Sequence, residues 1–427
     1  MSDHRVFAKC AWRLIPFMGL LYLANYIDRV NAGFAALTMN KDLGFSPAIF
    51  GFGAGIFFIG YLLFQVPANA ILGRVGARRW MFCILATWGA ISASTAFVQG
   101  PASFYALRFL LGVAEAGFFP GMIFYLTLWF PQAYRARFAA SFLCAIPLSG
   151  IIGGPLSGLI LGIDGAAGLH GWQWLFLIEG LPASLLAFAV LKLLPDGPAH
   201  AAWLDGAEKN AIAARLAAED FVGDRDLWRA LRDPRLLALA LAGFAQGCAL
   251  YGTTLWLPQI VQAVGFSNLA TGFVVALPYV ASMGAMILWG RSSDRRGERI
   301  WHIALGWLLA ALGFLGASLA QSEIIELLAL TLAMAGVLAV ISPYFALPSS
   351  FLRGPAAAGG IALINMIVSL GGFVGPTLIG VLRQETGGYA AGMAALAVGL
   401  LVSALIVLAV GRAMAPRATV SRASTNG

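Results

Sequence analysis

This sequence predicts an all-α membrane protein of twelve spanning helices in two pseudo-symmetric six-helix bundles. Three observations carry that prediction. Of 427 residues, 60% are hydrophobic and only 11% are charged, whereas soluble domains carry about 25% charged residues. The apolar residues fall into runs near the ~20 residues that a helix needs to cross a bilayer. Two unrelated motifs recur in the two halves at the same spacing of 221 residues. A water-soluble fold of this length could not hide so much apolar surface.

The runs lie near 14–38, 48–72, 79–99, 104–130, 137–163, 172–194, 235–263, 269–290, 300–320, 325–348, 356–382 and 389–412. Arg5, Lys9 and Arg13 precede the first, but that run is too long and too interrupted for a secretory signal. Arg74, Arg78 and Arg79 follow the second run, and Arg135 and Arg137 follow the fourth. Arg291, Arg295, Arg296 and Arg299 follow the eighth, Arg353 the tenth, and Arg412 and Arg417 the twelfth. Loops on the opposite side hold little beyond Lys41 and Arg383. The net charge of +8 therefore reports topology and not nucleic-acid binding, and the positive-inside rule puts both termini in the cytoplasm.

Residues 195–234 are charged and open on Pro and Gly. They read as a cytoplasmic linker with an amphipathic helix around 205–219. The predicted units are thus 1–194, the linker, and 235–427. Gly73-Arg74 in "GRVGARR" precedes Asp294-Arg295 by 221 residues, and Gly154-Pro155 in "GGPLSG" precedes Gly375-Pro376 in "GGFVGP" by the same spacing. Duplicated halves around a central site are the build of many secondary transporters. Glycine-rich runs such as 150–158 read as close helix contacts and hinges. The loops at 73–79 and 290–299, with Arg74, Asp294 and Arg295, read as cytoplasmic gate latches.

The most informative stretch is "NYIDRVN", residues 25–31, inside the first run. An ion near the middle of a spanning helix costs about 2.5–3.5 kcal/mol even on a lenient scale, so such residues mark function by default. Asp28, Arg29, Arg108, Glu115 and Glu179 lie at depth, all in the first half. The second half offers neutral groups such as Gln246, Tyr279, Ser282, Asn365 and Ser369. From a rise of 1.5 Å per residue, Asp28 lies roughly 15 Å below the outer end, Arg108 about 6 Å and Glu115 about 17 Å. Asp28 is therefore expected to pair with Arg108 in one state and to approach Glu115 in another. Arg29 diverges from Asp28 by about 100° and is expected to stay free for a substrate carboxylate, which its planar fork suits. Asp28 and Glu115 are the expected proton carriers, with Arg108 switching them. Glu179 reads equally as scaffold or as function. Gln246 and Asn365 lie near the midplane, where substrate sites are expected.

Cys10, Cys83, Cys144 and Cys248, and His4, His170, His200 and His302, are scattered without metal or disulfide spacing. No catalytic or nucleotide motif occurs, so no enzyme activity, metal or cofactor is expected. Any concentrative work must then draw on a gradient.

"GRSSDRRGER" (290–299) resembles the signature loop of the major facilitator superfamily, although the first-half copy has Gly73 in place of the aspartate and Asn69 in place of the first glycine. "NYIDRVN", "RFLLGVAEAGFFPGMIFYLTLWFP" (108–131), "WLFLIEGLPA" (174–183), "LPDGPAHAAWL" (194–204) and "YGTTLWLPQIVQAVGFS" (251–267) resemble its anion:cation symporter family, in particular the bacterial tartrate, hydroxyphenylacetate and phthalate carriers. The resemblance implies proton and substrate roles for Asp28, Arg29, Arg108 and Glu115, and substrate contacts for Tyr26, Tyr61, Gln246 and Asn365. It implies proton-coupled uptake of a small organic anion by a monomer in the bacterial inner membrane. Residues 150–158 also resemble the glycine-proline motif of drug and proton antiporters, so the alternative is a proton-coupled exporter of drugs or metabolites.

Overall fold

The computed structural model describes residues 3–218, 231–352 and 354–414. Arg353, Arg417 and linker positions 219–230 lie outside the described residues, as does the side chain of Arg137.

Among the described residues, twelve helical spans are long and apolar enough to cross a membrane. The first three are single helices, α1 (Asp3–Asp42), α2 (Pro47–Val75) and α3 (Ala77–Ser94). The fourth run, expected as one helix, is interrupted at Ala116-Gly117 into α4 (Pro101–Glu115) and α5 (Phe118–Trp129). The fifth divides at Cys144 into α6 (Gln132–Leu143) and α7 (Ala145–Leu161), and α8 (Gly171–Leu193) completes the first bundle. In the linker lies α9 (Gly206–Ala217). The second bundle comprises α10 (Pro234–Ala263), α11 (Asn268–Arg296), α12 (Ile300–Leu319), α13 (Glu323–Ala339), α14 (Ile341–Ala346), α15 (Gly354–Thr386) and α16 (Ala390–Met414). Its tenth span also breaks, at Val340. Hydropathy averaged over a span cannot register one displaced turn, which is why these breaks escaped the sequence.

Local chemistry starts the helices. Ser46, Asp205, Ser267 and Ser322 each accept a hydrogen bond from a backbone N–H in the first turn of the helix they precede. Pro47, Pro101 and Pro234 open α2, α4 and α10, where the missing N–H costs nothing.

The bundles meet mainly through α2 with α15, α7 with α11, and α1 with α10. Every crossing hydrogen bond between described residues lies near the cation-poor end. Asn40 donates to Gln259 at 3.3 Å, the Ala48 N–H to Gln384 at 3.3 Å, and Thr377 to the Gly51 carbonyl at 3.4 Å. At the same end α7 and α11 touch backbone to backbone, since a Cβ on Gly154 would lie 2.6 Å from the Gly272 carbonyl oxygen and one on Gly272 would meet the Gly154 carbonyl. The molecule is closed there.

The expected latches at the opposite end do not join the bundles. Asp294 pairs with Arg299 of its own loop at 2.6 Å, and Arg74 and Arg295 are exposed. Such latches form only when that end closes, so a structure closed at the other end leaves them apart.

Linker residues 195–218 are fastened to the first bundle. Lys9 pairs with Glu208 at 2.8 Å, and Arg78 with Asp196 at 3.1 Å. Tyr125 donates to the Pro195 carbonyl at 2.9 Å. Trp203 stacks on Trp129 with centroids 5.5 Å apart, and the Arg13 guanidinium lies 5.1 Å from the Trp203 ring.

Gly154→Leu forces α7 and α11 apart, because a backbone carbonyl cannot yield as a side-chain tip can. A cysteine placed at the cation-poor end between the bundles should then label several-fold faster with a membrane-impermeant thiol reagent than in the Gly154 protein.

Candidate functional site

The charges at depth converge inside the first bundle. α1 supplies Asp28 and Arg29, and α4 supplies Arg108 and Glu115. Glu115 is the last residue of α4 before the break, so helix carbonyls at that terminus favour a cation alongside it.

That cation is Arg29. Its guanidinium donates to Glu115 Oε2 through NH2 at 2.9 Å and through Nε at 3.2 Å. The expectation of a free Arg29 is thereby corrected: a desolvated guanidinium takes the nearest carboxylate. Asn25 also donates to Glu115 Oε2, at 2.8 Å. Glu115 is fully buried, whereas the Arg29 side chain is 11% exposed, so an incoming molecule reaches the guanidinium first. Tyr26, Phe57 and Tyr61 surround that guanidinium at 5.1–5.3 Å from their ring centroids, within cation–π range.

Asp28 does not make the expected bond to Arg108. It accepts instead from Trp88 Nε1 at 2.6 Å, from Asn31 Nδ2 at 2.9 Å and from Ser92 Oγ. Three neutral donors satisfy the carboxylate without a bonded cation. Arg108 is 1% exposed. Its three guanidinium nitrogens have no hydrogen-bond partner, it lies 5.2 Å from the Phe57 centroid, and its charge faces Asp28 and Glu115.

Arg29 opens into a small cavity of about 10 Å³ between the bundles. Tyr26, Val30, Phe58, Ile146 and Ser149 line it from the first bundle, and Leu250, Tyr251, Thr254, Leu255 and Tyr279 from the second. Tyr279 donates to Thr254 at 3.3 Å, and its ring lies against Gly150. Phe58 and Tyr251 meet across the interface with centroids 4.2 Å apart. Tyr61 adjoins the cavity through Arg29. Gln246 does not line it: Gln246 donates to the Val337 carbonyl at 2.8 Å and accepts from Trp307 at 2.5 Å, all within the second bundle. Asn365 is half-buried on α15 and is also off the lining. A roomier recess of about 130 Å³ lies at the cation-poor end between α10 and α13. Its lining carries Glu323 and Glu326 and no cation, the wrong sign for an anion.

Sequence reasoning missed Asn25, Asn31, Trp88, Ser92, Tyr251 and Thr254. The signal for the first two was in view, since both ends of "NYIDRVN" are asparagines within an apolar run.

The sequence pattern of the Major Facilitator Superfamily matches residues 18–376 and 260–425. The chain belongs to the Major Facilitator Superfamily. Over 413 residues it is 49% identical to a protein of Agrobacterium vitis named "Putative tartrate transporter", with 96% of this chain and 95% of that one covered. It is 42% identical to the "Quinolone resistance transporter" of Acinetobacter baumannii, covering 94% of each. In fold it is similar to a bacterial homolog of the human lysosomal transporter Spinster, in an inward-facing and occupied conformation, with a TM-score of 0.78 and 17% identity over 93% of this chain and 96% of that one. This member of the superfamily is a multi-pass membrane transporter and not an enzyme.

Removing one partner of a buried ion pair costs about 3–5 kcal/mol, while an apolar replacement of both is often neutral. Arg29→Leu and Glu115→Leu should therefore each lower the unfolding midpoint in detergent, and the double variant should regain most of the loss.

Proposed function

We propose that this transporter is a monomeric symporter of the bacterial inner membrane, taking up a small organic anion with protons by alternating access. The observation that carries this reading is the Arg29–Glu115 pair, in which one partner borders the central cavity and the other is sealed. A proton on Glu115 removes its charge and releases the guanidinium. A substrate carboxylate then takes the vacated fork, where bidentate geometry favours it. Proton and anion enter together because either alone leaves an uncompensated charge in hydrocarbon. On release of the anion, Arg29 returns to Glu115 and drives the proton off.

Asp28 is the second proton carrier in this scheme, and Arg108, facing both acids, biases which of them is neutral. Tyr26, Tyr61, Tyr251, Thr254 and Tyr279 offer hydroxyls to the body of the anion. Gln246 and Asn365 contribute as the bundles rock, Gln246 by holding α10 to α12 and α13. Arg74, Asp294 and Arg295 form the opposite gate when that end closes. Closure at the cation-poor end, read with the positive-inside expectation, supports reading the present state as inward-facing.

The second reading is export of drugs or metabolites. It is favoured by the glycine-proline stretch at 150–158 and by the resemblance to the quinolone resistance protein. Cells lacking the gene separate the two: lost growth on an organic acid supports import, and sensitivity to a toxic compound supports export.

In proteoliposomes, tartrate and a panel of sugar acids and aromatic carboxylates should include a substrate whose uptake is driven by an inwardly directed proton gradient. Arg29→Ala should cut uptake about 10- to 150-fold, the worth of one charge-assisted bond of about 1.5–3 kcal/mol. Glu115→Gln should keep exchange while losing gradient-driven accumulation. Uptake that is indifferent to pH and survives both substitutions would falsify the scheme.

A further inference from the structure

Behind the cavity, the polar chain of the first bundle ends on a carboxylate that the coupling scheme leaves idle. Glu179 stands eight residues into α8, about 12 Å from the cation-poor end. It is 8% exposed. Its Oε1 accepts from Ser157 Oγ of α7 at 2.8 Å, while its Oε2 is buried without a partner. Asn31 faces it from α1, and Asp28 is the charged group behind Asn31. Around Asp28 stand Trp88 and Ser92 of α3, and Arg108 and Glu115 of α4. No cation among the described residues is bonded to Glu179.

Two buried acceptors are left without a partner along this chain. Asn31 gives its Nδ2 to Asp28 at 2.9 Å, but its Oδ1 is buried and unpartnered, as is Glu179 Oε2. Two acceptors cannot satisfy each other. A single proton on Glu179 gives that carboxyl a donor and removes a buried charge that no bonded cation offsets. The amide of Asn31 can then serve two acids at once: its N–H goes to whichever is ionised, and its carbonyl oxygen accepts from whichever is protonated.

We propose that Glu179 is a third proton-holding carboxylate of this transporter, joined to Asp28 through Asn31, so that these two acids share one proton and Glu179 is its loading point on the side of the cation-poor end. Transfer breaks the O–H bond at Glu179 Oε2 and forms one at an Asp28 carboxylate oxygen, and the negative charge moves the other way. Asn31 lies one turn beyond Asp28 toward that end, so the chain runs from the central site outward. The state of the gate reaches Glu179 through Ser157. α7, which carries Ser157, also carries Gly154, whose backbone abuts Gly272 of the other bundle. Opening that end shifts the hydroxyl that holds Oε1. The inference rests on the reading of Asp28 as a proton carrier.

Infrared difference spectra of the full chain in lipid, taken through a pH titration in an E115Q background, test it through the C=O stretch of protonated carboxyls. Besides the steps of the exposed carboxyls, two steps from buried ones are expected, and the one at higher pH should vanish in E179Q. In D28N that step should persist but fall about one pH unit, because a like-charged neighbour within reach has gone. E179D, which keeps an acid, should keep both the step and its response to D28N. If the upper step survives E179Q, or if it ignores D28N, Glu179 is a scaffold acid and the inference is overturned. The spectra need no substrate. Failed uptake in proteoliposomes would therefore count against symport alone, and an uncoupled Glu179 would leave the Arg29–Glu115 exchange standing.

Discussion

A guanidinium and a carboxylate shut away from water must each find an opposite charge, and the Arg29–Glu115 pair is where that constraint bites hardest. Arg29 borders the cavity and Glu115 does not, so the pair is both a structural bond and a site with one replaceable partner. The surroundings serve the same end. Three aromatic rings hold the guanidinium in place, Asn25 steadies the carboxylate, and the break after Glu115 ends a helix beside the bound cation. Asp28 is removed from direct competition by its three neutral donors. Were it free to claim Arg29, the replaceable partner would be permanently occupied.

The two bundles divide the labour unequally. Ionisable groups at depth belong to the first, while the second supplies tyrosines, threonine and backbone contacts. Gln246 illustrates the difference, since its amide is consumed in joining α10 to α12 and α13. In the proposed alternating access, the second bundle would give the first something to rock against, and the glycine contacts between α7 and α11 bring the two together without intervening side chains.

Much of this was legible in the residues, for identifiable reasons. Asp28, Arg29, Arg108 and Glu115 stand out because ions in an apolar run are costly, and spacing alone put Asp28 and Glu115 at similar depth with Arg108 nearer the outer end. Which of them pair was not legible. Depth along a helix says nothing about rotation about its axis, and a difference of one residue swings a side chain by about 100°. The sequence therefore suggested Asp28 with Arg108, where the fold pairs Arg29 with Glu115. Trp88 and Ser92 were invisible for another reason: a tryptophan or a serine in a spanning helix is unremarkable until a carboxylate is found against it. The helix breaks at Ala116-Gly117, Cys144 and Val340 escaped because apolar composition runs straight through them. The recurrence of two motifs at one spacing did foretell the paired bundles.

The fastening of residues 195–218 bears on how the chain is made. Lys9, Arg13 and Arg78 lie among the basic residues that bias which way the first helices enter the bilayer. Their partners Glu208, Trp203 and Asp196 are translated only after all six spans of the first bundle. During insertion those cations are unclaimed and can act on the orientation of the nascent helices. Once the linker emerges, the same three side chains become its anchors. On the positive-inside expectation, one set of charges serves biogenesis first and the finished fold afterwards.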